Sequence, residues 1–136
     1  RLRKADLLDP IRARVRAGLP YIGSSAGSNV AGPNILTAND WNVVGLTAFD
    51  ALALVPFNIN PHYLETDPAR APGSETRDER IREYHVVWRN PVVGIEEGTL
   101  LRVEDGVVTV LGRGRAKVLE RGREPRWYRA GKRVEV

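Results

Sequence analysis

The sequence predicts an α/β fold, a stretch of doubly wound layout closed by a C-terminal β-hairpin, and three observations carry that prediction. Between Asp9 and Val30 the pattern runs helix, short apolar strand, sharp small-residue turn, helix. The apolar run from Ala51 to Ile59 then leads into Asn60-Pro61-His62, and Asp105-Gly106 separates two stretches of alternating apolar residues. In doubly wound sheets ligands gather at the carboxyl ends of parallel strands, so the residues that follow each predicted strand are the first place to look for chemistry.

Asp9 is placed as the N-cap of the first helix, Pro10 at its first position, Ile11 and Val15 on its apolar side and Gly18 as its stop. Leu19 to Ile22 follows as a short buried strand. Residues 31–50 carry Gly32, Pro33, Asn34, Asn39, Asp40 and Asn42, the composition of a polar loop. Ala51 to Ile59 reads as a buried strand that delivers His62 at its carboxyl end. Pro68, Pro72 and Gly73 mark a flexible loop. Thr76-Arg77-Asp78-Glu79 has the capping-box pattern and starts an amphipathic helix through about Tyr84, with Arg77 in its first turn. Val92 to Ile95 is a further strand, ending at Glu96-Glu97-Gly98. Leu100 to Leu111 forms the hairpin, its Asp105-Gly106 suited to a type I′ turn, and short strands with Gly-rich turns complete the chain. Gly112-Arg113-Gly114 lacks the third glycine of a dinucleotide fingerprint.

At 136 residues, with 42% apolar and 28% charged residues, the chain is sized and composed for one globular domain with a real core. No stretch approaches the roughly 18 to 20 apolar residues of a membrane span, and the charged start has no h-region, so a soluble, cytoplasmic protein is expected. There is no cysteine and there are two histidines. Disulfides and thiol nucleophiles are thereby excluded, and neither a metal nor a cofactor is expected. The net charge of +4 comes from arginines at both ends. Aromatics are not interleaved with them and no nucleic-acid signature is present, so they read as solvated faces and not as a nucleic-acid footprint. The chain has no methionine and opens on a charged helical segment. The expectation is therefore that an N-terminal part is missing, residues 1–136 being the C-terminal larger part of one catalytic domain.

Gly23-Ser24-Ser25-Ala26-Gly27 matches the Gly-x-Ser-x-Gly turn of a nucleophile elbow, whose small residues let strand turn sharply into helix and leave Ser25 exposed at the apex. Such a turn also occurs as a plain small-residue loop. A serine needs a base within hydrogen-bond reach, and the base needs an acid to orient it. His62, at a strand end, suits the base better than His85, which lies among Tyr84, Val86 and Val87 as a packing residue would. Asp40 and Glu97 are both candidate acids, although an aspartate in such a loop also serves as an Asx turn or cap.

Five blocks of this chain, in order, resemble the peptidase E family, the α-aspartyl dipeptidases. They are the segment from Leu19 to Gly32, Thr37-Ala38-Asn39-Asp40, Phe57 to Tyr63, Glu75 to Ile81 and Pro91 to Gly98. The resemblance implies a serine peptidase on a flavodoxin-like sheet akin to the class I glutamine amidotransferases, acting on small peptides, namely dipeptides with N-terminal aspartate. Ser25 matches the nucleophile and His62 the general base, while the acid role falls on either Asp40 or Glu97. Arg77 matches the arginine that binds the aspartyl carboxylate. On this reading the backbone N–H of Ala26 donates to the oxyanion. Three alternatives stand beside it: a relative of cyanophycinase-like specificity, a non-catalytic fragment or binding module of the same fold, and, for Arg77 alone, a salt bridge to Asp78 or Glu79.

Overall fold

The computed structural model describes residues 1–65 and 75–136. The loop expected around Pro68, Pro72 and Gly73 lies outside the described residues. Among the described residues three α-helices, α1 (Leu8–Arg16), α2 (Ala26–Ala31) and α3 (Arg77–Val87), accompany seven strands: β1 (Asn58–Asn60), β2 (Val92–Ile95), β3 (Thr99–Glu104), β4 (Val107–Gly112), β5 (Arg115–Leu119), β6 (Arg126–Arg129) and β7 (Arg133–Val134). The architecture is mixed α/β, in two sheets ordered β1-β2-β5-β6 and β3-β4-β7.

Local sequence chemistry explains most of these elements. The helix α1 ends as expected at Gly18, whose φ of 101° only glycine adopts freely. Gly18 N–H bonds to Val15 O and Leu19 N–H to Arg14 O, which closes the end with a Schellman pair. Its start differs from expectation, because Leu7 and not Asp9 is the N-cap and Asp9 lies within the first turn. The capping box of α3 is complete: Thr76 Oγ1 accepts from Glu79 N–H, and the Glu79 carboxylate accepts from Thr76 N–H at 2.7 Å. Asp105 and Gly106 have φ of 50° and 75°, the two positive values a type I′ turn requires between β3 and β4.

Two strand expectations are corrected. Leu19–Ile22 is not a strand, and Ile22 is 90% exposed. An apolar run becomes a strand only with a ladder partner, and none pairs with this one among the described residues. Of Ala51–Ile59 only the last two residues enter β1. The rest is irregular because its N–H groups satisfy carbonyls at the end of α2: Leu52 bonds to Val30 O, Ala53 to Gly32 O and Leu54 to Ala31 O. The helix α3 is longer than expected. Its buried side carries Ile81, Tyr84 and His85, while Val86 and Val87 face outward.

β1 and β2 run parallel, with Asn60 opposite Gly94, whereas β2–β5 and β5–β6 are antiparallel. Side chains alternate across this sheet. Val93, Ala116 and Val118 join Phe57, Ile59, Val108 and Val110 in one core on the hairpin side. Val92 and Leu119 join Tyr63, Ile81 and Tyr84 in a second core under α3. Among the described residues no helix is long and apolar enough to cross a membrane.

Candidate active site

Ser25 stands immediately before α2, with φ 50° and ψ −113°. A residue with a side chain holds such a conformation only when its surroundings impose it. The surroundings here are small and well anchored. Ser28 Oγ donates to Gly23 O at 3.1 Å, and Tyr21 Oη donates to Gly27 O at 2.7 Å. A Cβ on Gly23 would lie 2.6 Å from Gly27 O, so this tight crossing requires glycine. Ser25 is exposed at the apex. The N–H of Ala26, the first of α2, meets no backbone acceptor among the described residues.

His62 and Glu97 each follow a parallel strand by two residues, which brings both to the same sheet edge. The Ser25 hydroxyl donates to His62 Nε2 across 2.9 Å, and His62 Nδ1–H donates to Glu97 Oε1. Because Nδ1 carries the proton, Nε2 has a free lone pair facing Ser25. His62 also has positive φ, 55°, and its backbone is clamped on both sides. Asn39 Nδ2 donates to Pro61 O at 2.8 Å, Asn60 Nδ2 donates to Thr37 O and Asn39 Oδ1, and Tyr63 N–H bonds to Ile95 O at 2.9 Å.

Asp40 is exposed and makes no hydrogen bond or ion pair to His62 among the described residues; the imidazole's partner is Glu97. In the Thr37–Asp40 block it is Asn39 that reaches the site's frame, and Arg80 in turn donates to Asn39 O at 2.9 Å. Arg77 is the first residue of α3, partly buried. Asp78 and Glu79, the carboxylates a structural Arg77 would pair with, are committed elsewhere. Glu79 completes the capping box, and Asp78 accepts from Tyr63 Oη and Lys117 Nζ. His85 is buried against Asn90 O, and burial lowers its pKa, in keeping with a packing role.

Sequence reasoning passed over Asn39, Asn60, Tyr63, Glu96 and Lys117. Glu96 receives Arg115 through both guanidinium and backbone N–H groups, at 2.6–3.2 Å. The Arg115 hydrogen bonds hold the Glu96 carboxyl below its usual range. Tyr63 is raised by burial and by the Asp78 carboxylate, so it remains a neutral donor. For Asn39, Tyr63 and Glu96 the one signal was adjacency to Asp40, His62 and Glu97; Asn60 stands two residues before His62, and Lys117 carried no signal in the sequence.

A serine, an imidazole and a carboxylate hydrogen-bonded in series, with the serine on a strained turn into a helix, form the arrangement of a serine hydrolase. The chain belongs to peptidase family S51, whose model matches residues 1–111. It is 43% identical over 130 residues to peptidase E of Streptomyces coelicolor, an alignment covering 96% of this chain and 54% of that protein. To a probable alpha-aspartyl dipeptidase of Drosophila melanogaster it is 49% identical over 120 residues, covering 88% and 50% respectively. To peptidase E of Nostoc sp. it is 43% identical over 130 residues, covering 93% and 52%. The chain thus spans about half the length of these relatives.

Proposed function

We propose that this chain carries the catalytic residues of a serine dipeptidase that hydrolyses dipeptides with N-terminal aspartate. Ser25 Oγ attacks the carbonyl of the Asp-X bond while His62 Nε2 takes its proton. His62 then gives that proton to the leaving amine, and water, activated by the same imidazole, releases aspartate from the acyl-enzyme. Glu97 keeps the imidazole in the reactive tautomer and offsets its positive charge as it forms. The Ala26 N–H donates to the oxyanion, a kind of donor whose loss typically costs about 10²- to 10³-fold in rate. Arg77 binds the aspartyl carboxylate through its planar fork.

The observation that carries this reading is the 2.9 Å hydrogen bond from Ser25 to His62 at an elbow with φ 50°. The names of the relatives, peptidase E and probable alpha-aspartyl dipeptidase, supply the substrate class. The parallel β1–β2 pair, with both catalytic loops at its carboxyl edge, supports assigning the sheet to the flavodoxin-like, amidotransferase-like class. A cytoplasmic setting belongs to the same reading and rests on the family resemblance.

The test is substrate choice at Arg77. Arg77→Ala should lower kcat/KM on Asp-Leu by about 10²- to 10³-fold, the penalty of breaking a desolvated charge pair, and Arg77→Lys should recover part of it. The preference for Asp-Leu over Asn-Leu and Ala-Leu should collapse in both variants. An arginine that merely supports the fold would depress all three substrates together, and an unchanged preference would remove Arg77 from the specificity role.

A further inference from the structure

Lys117 lies in the middle of β5, on the face that turns toward α3, and is 4% exposed. An ammonium group is rarely buried unless its protons are satisfied. Here each of the three has an acceptor: Tyr63 Oη at 2.9 Å, Asp78 Oδ2 at 2.8 Å and Glu65 Oε1 at 3.2 Å. The rings of Trp127 and Tyr63 flank the ammonium at 5.2 and 5.4 Å from their centroids, within range of cation–π attraction. Tyr63 Oη closes the network by donating to Asp78 Oδ1.

What this cluster joins is informative. Tyr63 is the residue after His62, and Asp78 is the residue after Arg77. Lys117 sits opposite Gly94 across the β2–β5 ladder, and the Tyr63 ring fills the space that Gly94 leaves, where a Cβ would lie 2.5 Å from its Cδ2. The His62 and Glu97 side chains are themselves 50% and 79% exposed, so packing around them cannot fix their hydrogen bond. Their alignment depends on the backbone, and the backbone of His62 is in a strained conformation that persists only if held from outside.

We propose that Lys117 is a positioning residue of this site: through Tyr63 it holds the His62 imidazole in line with Glu97 and Ser25, and through Asp78 it fixes the turn of α3 that carries Arg77. The proposal rests on the reading of Ser25 and His62 as nucleophile and base. Stability alone does not test it, since removing one partner of a buried ion cluster lowers stability whether or not that partner positions the site. The discriminating quantity is the geometry of His62.

The chain has two histidines, so the imidazole protons can be assigned by NMR with His85→Gln as the reference. In the full chain, the His62 Nδ1 proton should give a downfield signal protected by Glu97. Lys117→Met should weaken or abolish that signal while leaving cooperative thermal unfolding intact, and Lys117→Arg should restore it in part. Phosphonylation of Ser25 by a fluorophosphonate should slow by about 10²-fold in Lys117→Met, the loss expected from an ångström of misplacement. A folded Lys117→Met with an unchanged His62 signal and an unchanged labelling rate would overturn the proposal. If Lys117→Met does not fold, Tyr63→Phe keeps the ring and removes the hydroxyl link, and it is read by the same two measurements with the same outcomes. Failure of the dipeptidase reading is seen separately, as a wild-type protein with an intact His62 signal that does not cleave Asp-Leu.

Discussion

Replacing Glu97 by glutamine preserves the shape of the side chain and removes its charge, so the lost electrostatic stabilisation sets the smallest effect expected, to which an amide donating to Nδ1 would add by disturbing the tautomer. Two unit charges about 4 Å apart attract by about 1 kcal/mol in water and about 4 kcal/mol near a protein surface. A half-exposed imidazolium and a carboxylate that is 79% exposed fall between these limits. At about 2.5 kcal/mol, the loss in kcat is about 70-fold, since 1.36 kcal/mol corresponds to a factor of ten. A triad whose amide variant also holds the wrong tautomer loses roughly 10⁴-fold, so the fall expected for Glu97→Gln lies between these two figures. Asp40→Asn should also reduce turnover, by less than about tenfold, because it acts on the loop that carries Asn39 and not on the imidazole. Both variants are to be compared with wild type in kcat and kcat/KM for Asp-Leu at one pH. A larger loss in Asp40→Asn than in Glu97→Gln would refute the placement of Glu97 as the residue that orients His62.

Ser25→Gly should abolish activity and raise the melting temperature relative to Ser25→Ala, because glycine relieves backbone strain of about 1–3 kcal/mol at φ 50° while alanine keeps it; equal melting points would mean the elbow stores no strain. Gly94→Ala pushes a methyl into the Tyr63 ring and should cost about 1–3 kcal/mol of stability together with a disproportionate fall in kcat, checked by thermal melts and active-site-normalised kinetics. His85 adds a pH dependence of stability. Burial lowers its pKa in the fold, so the unfolded chain binds the proton more readily, and stability is lost as the pH falls below the unfolded value of about 6.5. His85→Gln should flatten that part of the stability–pH profile, measured by denaturant titration; an unchanged slope would assign the acid sensitivity to other groups.

The elements that were legible in the sequence are those whose specification is local. The Thr76–Glu79 box, the Asp105-Gly106 turn and the Gly18 stop each satisfy their own backbone groups within a few residues, and each stands where expected. Leu19–Ile22 and Ala51–Val55 were illegible because an apolar run records burial or extension and says nothing of its hydrogen-bond partners. The first run has no ladder partner among the described residues, and the second spends its N–H groups on α2. A strand is a property of two segments, and one sequence window contains only one of them.

The site divides along the same line. Ser25 could be read from the small residues that make its turn, and His62 from its place at the end of an apolar run. The choice between Asp40 and Glu97 could not, because both lie in polar loops and only the parallel register decides. Asn60 opposite Gly94 carries His62 and Glu97 out of adjacent strands at one level, whereas Asp40 sits in a loop that reaches β1 through its neighbour. The neighbours form a pattern of their own. Asn39 beside Asp40, Tyr63 beside His62, Asp78 beside Arg77 and Glu96 beside Glu97 are the residues that anchor, while their partners reach outward. In each pair the residue beside the one that faces the site is bonded into the protein frame, although the local backbone differs: Asp78 lies in a helix and His62 has positive φ. A polar or aromatic residue flanking a candidate catalytic position is therefore the natural place to look for the group that holds it. Lys117, distant in sequence from every block of the motif, becomes visible only once Tyr63 and Asp78 have been followed to the cation they share.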